Sequence, residues 1–288
     1  MFTHFVFWLW FAGLVYLAAG FAILRKQLVA ARGMDKLIAL GPVFVGAPMA
    51  VFAAEHFTAA RDIMQLVPAW LPHRLFITYF VGSVWIAAAT SLVTRKFVRL
   101  SSTLLGVAFF LFVLMMDLPG AIKSPGNQLG WTLALRQAAF GAGAWALAGS
   151  YSAESHTRKQ NWMILIGRII VATATIRFGF ENFLHPEILP GVPDTKLTPA
   201  WVPLHTFWGY PVGAFLVVAG AALLLNKRPR AAAAWVGALM TLLTVCLYVP
   251  ILAVARDPAQ MVEALNFVFD TLLFGGTALL VAGAMPVE

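Results

Sequence analysis

Apolar runs close to the length of a bilayer crossing recur from one end of this chain to the other, and they restrict its fold more than any motif does. About 20 consecutive, mostly apolar residues carry a helix across about 30 Å of hydrocarbon. Read between charged and Pro/Gly breaks, such runs fall near residues 4–24, 37–57, 74–93, 98–117, 129–149, 162–184, 205–225, 231–253 and 262–284. The expectation is an all-α membrane protein with nine transmembrane helices. With 61% of its 288 residues hydrophobic and only 11% charged, the chain lacks the polar surface of a water-soluble domain. No stretch between the runs is long enough for a separate soluble domain.

The net charge of +8 sits in short clusters between apolar runs rather than in a basic stripe, which speaks against nucleic acid as a partner and for the lipid bilayer. Alternate connections hold Arg25, Lys26, Arg32 and Lys36, then Arg95, Lys96 and Arg99, then Arg158, Lys159 and Arg168, then Lys227, Arg228 and Arg230, together 13 of the 20 basic residues. By the positive-inside rule these connections are cytoplasmic, which places the N-terminus outside and the C-terminus in the cytoplasm of a bacterial inner membrane. The first run ends, rather than begins, with basic residues, the reverse of a secretory signal, and is read as a retained span. Cys246, the single cysteine, lies in an apolar run, so neither an internal disulfide nor a dithiol couple is available.

The chain repeats itself. Pro68 to Pro72 (PAWLP) matches Pro199 to Pro203 (PAWVP) at an offset of 131. At that offset Phe76, Tyr79, Val81 and Gly82 fall on Phe207, Tyr210, Val212 and Gly213, Gly106 falls on Gly237, and Pro119 on Pro250. Before the loop the offset is 126, which puts Glu55 and Phe57 on Glu181 and Phe183. The reading is one extra helix with a basic loop over residues 1–36, then two parallel four-helix units over 37–150 and 162–284, arranged 1 + 4 + 4.

Ala54-Glu55-His56-Phe57 followed by Val67-Pro68-Ala69-Trp70-Leu71-Pro72 resembles the DoxX-like membrane proteins, and the chain looks like a duplicated version over about 240 of its 288 residues. The resemblance implies four-helix bundles. Through a relative that is a subunit of a thiosulfate:quinone oxidoreductase, it also implies a quinone-linked or accessory role beside other membrane-complex subunits. The Gly-x-x-Lys that typically ends the family's first helix reads Ala53-x-x-His56 and Gly179-x-x-Asn182 here, so the lysine is absent from both copies.

An ionisable side chain at mid-membrane costs at least about 2.5 kcal/mol on insertion scales, so each needs a partner or a purpose. The candidates are Glu55, His56, Asp117, Arg136, Arg177, Glu181, Asn182, Asn266 and Asp270. Arg177, Glu181 and His185 share one helix face, as do Glu263, Asn266 and Asp270. Past a second gap the alignment places Arg136 on Asp270, and an Arg to carboxylate pair is expected within each unit: Arg136 facing Glu55 and Asp117, Arg177 facing Glu181 and Asp270. Trp70 and Trp201 are expected as interfacial anchors in loops on the bilayer surface. No span carries two histidines at ligand spacing, which disfavours haem and leaves no metal site. The Gly-x-Gly string at Gly141 to Gly143 lies in a span with no strand before it, and reads as a close helix contact rather than a dinucleotide site.

No catalytic motif is present. Three readings remain: a binding or accessory subunit holding a quinone or lipid in an outward-facing polar site, a structural subunit of a larger membrane complex, and a proton-coupled transporter of small molecules. If the chain is an enzyme, a quinone-linked oxidoreductase subunit is the expected kind.

Overall fold

A computed structural model describes residues 4–151 and 161–287. Arg158 and Lys159 lie outside the described residues. The regular elements of the described residues are all helices, and the one strand-like pairing among them is an isolated bridge between Ile188 and Leu197. The helices are α1 (His4–Ala30), α2 (Met34–Thr58), the single turn α3 (Ala60–Ile63), α4 (Arg74–Thr94), α5 (Val98–Lys123), α6 (Gln128–Ser150), α7 (Trp162–Leu184), α8 (Gly209–Leu224), α9 (Pro229–Val254) and α10 (Pro258–Ala284).

Seven of these, α1, α2, α4, α5, α7, α9 and α10, are long and apolar enough to cross a bilayer, and the protein is a polytopic membrane protein. The other two expected spans fall short for different reasons. Helix α6 is rich in Ala and Gly and carries Arg136, while α8 is apolar but only 16 residues long. The expected span at 205–225 begins late because residues 203–208 are wound into turns.

Side-chain exposure fits a lipid solvent. Phe7, Phe11, Leu14 and Phe21 of α1 are exposed, as are Leu100, Leu104 and Leu111 of α5. Helix α2 is buried along most of its length, with α1, α4 and α10 packed around it. Where helices approach closely, a glycine removes the side chain between them: Gly106 meets the Gly141 carbonyl, and Gly237 meets that of Gly275.

The backbone carries the same irregularities twice. All six described non-glycine residues with positive φ fall into three pairs 131 apart: His73 with Leu204, Arg95 with Asn226, and Phe97 with Arg228. The two π-helical turns, Val113–Asp117 and Thr244–Tyr248, are also 131 apart, and each is followed two residues later by a proline, Pro119 or Pro250. Proline has no N–H to donate and its ring collides with the carbonyl four residues back, so the wider turn before it relieves the clash without breaking the helix.

Packing is reciprocal as well. Helix α6 lies against α7 and α10 against α2, while α6 and α10 pack on each other. In the seam between α6 and α10 three pairs of residues, each 134 apart, meet: Arg136 with Asp270, Phe140 with Phe274, and Gly143 with Thr277. Helix α1 stands outside this scheme, tied by a 2.7 Å hydrogen bond between Tyr16 and Thr90 and by Gly20 seated on Val43.

Candidate polar centre

Five of the expected polar side chains, Glu55, Asp117, Arg136, Asn266 and Asp270, converge where α2, α5, α6 and α10 meet. Arg136 of α6 forms an ion pair of 3.0 Å with Asp270 of α10, both side chains less than one-fifth exposed. Arg136 is eight residues from the start of α6 and Asp270 twelve from the start of α10, about 12 and 18 Å along at 1.5 Å per residue. The two levels coincide because α10 begins at Pro258, a full turn before the expected start at 262, capped by Asp257, whose carboxylate accepts from the Gln260 N–H at 2.9 Å.

Around this pair stand Asp117, at the end of the first π turn and within electrostatic range of Arg136, and Glu55, near the end of α2 and within range of Asp270. Asn266, one turn before Asp270, lies beside Glu55. Four buried polar atoms of this group have no hydrogen-bond partner among the described residues: Glu55 Oε1, Asp117 Oδ2, Asn266 Oδ1 and Arg136 Nε. Three can accept and one can donate.

Of the expected pairs, Arg177 with Glu181 is present, while the partners of Arg136 and Asp270 are corrected. Arg136 meets Asp270 of the other half instead of pairing inside its own, because α6 and α10 pack on each other. Arg177 does not reach Asp270. It bonds to Glu181, one turn on, and to Gln128 at the start of α6. The His56 Nδ1–H donates to the Phe52 carbonyl of its own helix at 2.7 Å, and His185, just past the end of α7, sits 3.6 Å from Glu187. Glu263 leaves the expected stripe to bind Lys196 at 2.6 Å.

Asn182 has a different task from the one expected. Its amide donates to the Phe178 carbonyl at 2.7 Å and to the Gly191 carbonyl at 3.0 Å, and its oxygen accepts from the Gly191 N–H at 3.0 Å. Those bonds pin a loop segment. Residues 188–193 are buried, Gly191 adopts φ +118° against Leu243 and Tyr248, and the Tyr248 hydroxyl donates to the Pro190 carbonyl at 3.1 Å. This loop was expected on the bilayer surface; its Leu-Pro-Gly-Val stretch enters the bundle instead. The shorter loop 58–73 follows the expectation, with only Ala60 buried in its first turn. Trp70 and Trp201 are both exposed, as interfacial anchors are.

Tyr248 and Gln128 escaped sequence reasoning. Tyr248 stands 131 residues after Asp117, a position that marks it as the second half's counterpart to that acid. Beneath the centre, on the face with the basic connections, a cavity of about 360 Å³ opens along the same seam, lined by Gln27, Asp35, Arg95, Ser150, Leu280 and Arg230. Arg230 closes on Asp35 at 2.6 Å there. No family model, curated protein or solved structure matches this chain.

Proposed function

We propose that the chain is a DoxX-like membrane protein in which one extra helix precedes two four-helix units, and that its polar centre holds a small apolar molecule by a hydrogen-bonding head. In this reading the chain crosses nine times, with the N-terminus outside and the C-terminus in the cytoplasm, and the centre lies in the outer half of a bacterial inner membrane. The recurrence of left-handed residues and π turns at 131 supports the duplication, since local sequence alone has no reason to repeat backbone strain at one offset.

The observation that carries the binding reading is the set of four buried polar atoms left without partners around Arg136 and Asp270. A purely structural network closes on itself, because an unmet buried donor or acceptor costs about 1 to 3 kcal/mol. Three acceptors and one donor suit a molecule that presents hydroxyls more than one that presents only carbonyls. Among quinone-type ligands the reduced, dihydroxy form fits best, and a lipid with a free hydroxyl is the alternative. The role is then that of a redox-linked or accessory membrane subunit.

Extraction and mass spectrometry of the purified protein test this. A hydroxyl-bearing quinol or lipid should be enriched over the bulk membrane and lost from Glu55→Leu with Asn266→Leu. Equal extracts from both proteins would refute binding at the centre. The cavity on the basic face favours a second reading, transport along the α6–α10 seam. Uptake of the extracted molecule by proteoliposomes under an imposed proton gradient would select it, while retention without movement selects binding.

A further inference from the structure

A second site lies away from the polar centre, on the side of the bundle where α8 turns into α9. A groove of about 840 Å³ runs along Phe215, Val218 and Ala222 of α8 and Ala232 and Trp235 of α9, and ends at Lys227 and Arg228 in the connecting turn. The groove exists because alanines stand where the two helices face outward. It is open to the lipid, with Val218 and Trp235 both more than half exposed.

We infer that this groove binds an anionic phospholipid, its acyl chain along the apolar trough and its phosphate between Lys227 and Arg228. Charge decides the occupant. Both residues are exposed, and neither meets a carboxylate among the described residues, whereas nearby Arg230 is taken by Asp35 and Arg168 by the Leu223 and Leu224 carbonyls that end α8. Two free cations at the membrane surface, directly below an apolar trough, match a single amphiphile with a negative head. A free phosphate would use the cations and leave the trough unexplained. A neutral lipid would do the reverse.

The matching positions of the first half sharpen the assignment. There Lys96 is kept, but Phe97 replaces Arg228, and Ser83, Ser91 and Ser101 replace Ala214, Ala222 and Ala232. The cation at the position of Arg228 is lost, the turn's other arginine, Arg95, stands at the position of Asn226 and lines the seam cavity, and the trough positions gain hydroxyls, so the α4–α5 side supplies an internal control.

Native mass spectrometry of the full chain, delipidated in detergent and offered phosphatidylglycerol or phosphatidylcholine of equal chain length, tests the inference. One phosphatidylglycerol should be retained about twenty-fivefold more strongly than phosphatidylcholine, as two cations near the surface each contribute about a factor of five. Lys227→Gln with Arg228→Gln should abolish that preference, and Lys96→Gln should leave it intact, with gel filtration confirming that all three proteins are folded. Equal retention of both lipids, an equal loss in Lys96→Gln, displacement of the lipid by millimolar inorganic phosphate, or a dimer whose interface covers Trp235 would each overturn it.

Discussion

The loops that follow α2 and α7 start from related sequence and end in opposite places. Both carry Pro-Ala-Trp and both lead through a left-handed residue into the next helix, yet residues 58–73 stay at the surface while residues 188–193 enter the bundle. The difference follows from what each half offers at matching positions. The second half has Asn182 and Tyr248, which together meet both polar groups of Gly191 and the Pro190 carbonyl. The first half has His56, satisfied within its own helix, and Asp117, whose buried oxygen is unmet. At these matching positions the second half fills its interior with its own loop. The first half has no loop segment there, and Asp117 Oδ2 stays without a partner among the described residues.

The largest expected effect breaks the comparison at its centre. Asp270→Ala strands Arg136 in the seam and should destabilise the protein by about 3 kcal/mol, while the double change with Arg136→Ala should recover most of that loss, because stranding one charge of a buried pair is worse than removing both. Thermal unfolding in detergent over the full cycle measures it. A second cycle, Arg177→Ala with Asp270→Ala, should be additive, since Arg177 bonds to Glu181 and Gln128 instead.

Next in size is the pin. Asn182→Ala leaves the Gly191 N–H and carbonyl buried without partners and should cost about 2 kcal/mol, whereas His56→Ala at the matching position should cost less than about 1 kcal/mol. Faster proteolysis within residues 188–193 should accompany the first change only. Similar losses from both would mean that the halves are built alike after all.

Smallest is the hydroxyl. Tyr248→Phe removes one interior hydrogen bond and should cost about 1 kcal/mol without altering any bound molecule. Asp117→Asn should leave stability nearly unchanged and reduce retention of the extracted ligand. A stability loss from Asp117→Asn equal to that from Tyr248→Phe would assign the acid a structural role.

Most helix positions were legible because hydropathy, Pro and Gly act locally, and the 131-residue offset read from Pro68 to Pro119 is the one at which the backbone irregularities recur. What the sequence did not reveal is which helices abut. Arg136 and Asp270 lay at matching positions in the alignment, but nothing in either helix says that α6 and α10 pack on each other, so the arginine was assigned to acids of its own half. The buried loop was hidden for a related reason. Leu189-Pro190-Gly191-Val192 is apolar whether it lies on a membrane surface or inside a bundle, and only Asn182, a polar residue two positions from the end of its helix, hinted at the difference.

The meeting of Arg136 with Asp270 has a consequence for assembly. Residues at matching positions touch across this seam, so two identical halves joined the same way would set Arg136 against Arg136, or Asp270 against Asp270. Each such self-pairing confronts like charges in a poorly hydrated place, and only the mixed pairing neutralises them. Supplied as separate polypeptides, the halves should therefore find each other and refuse their own kind, which makes a single ion pair a rule about who may associate with whom.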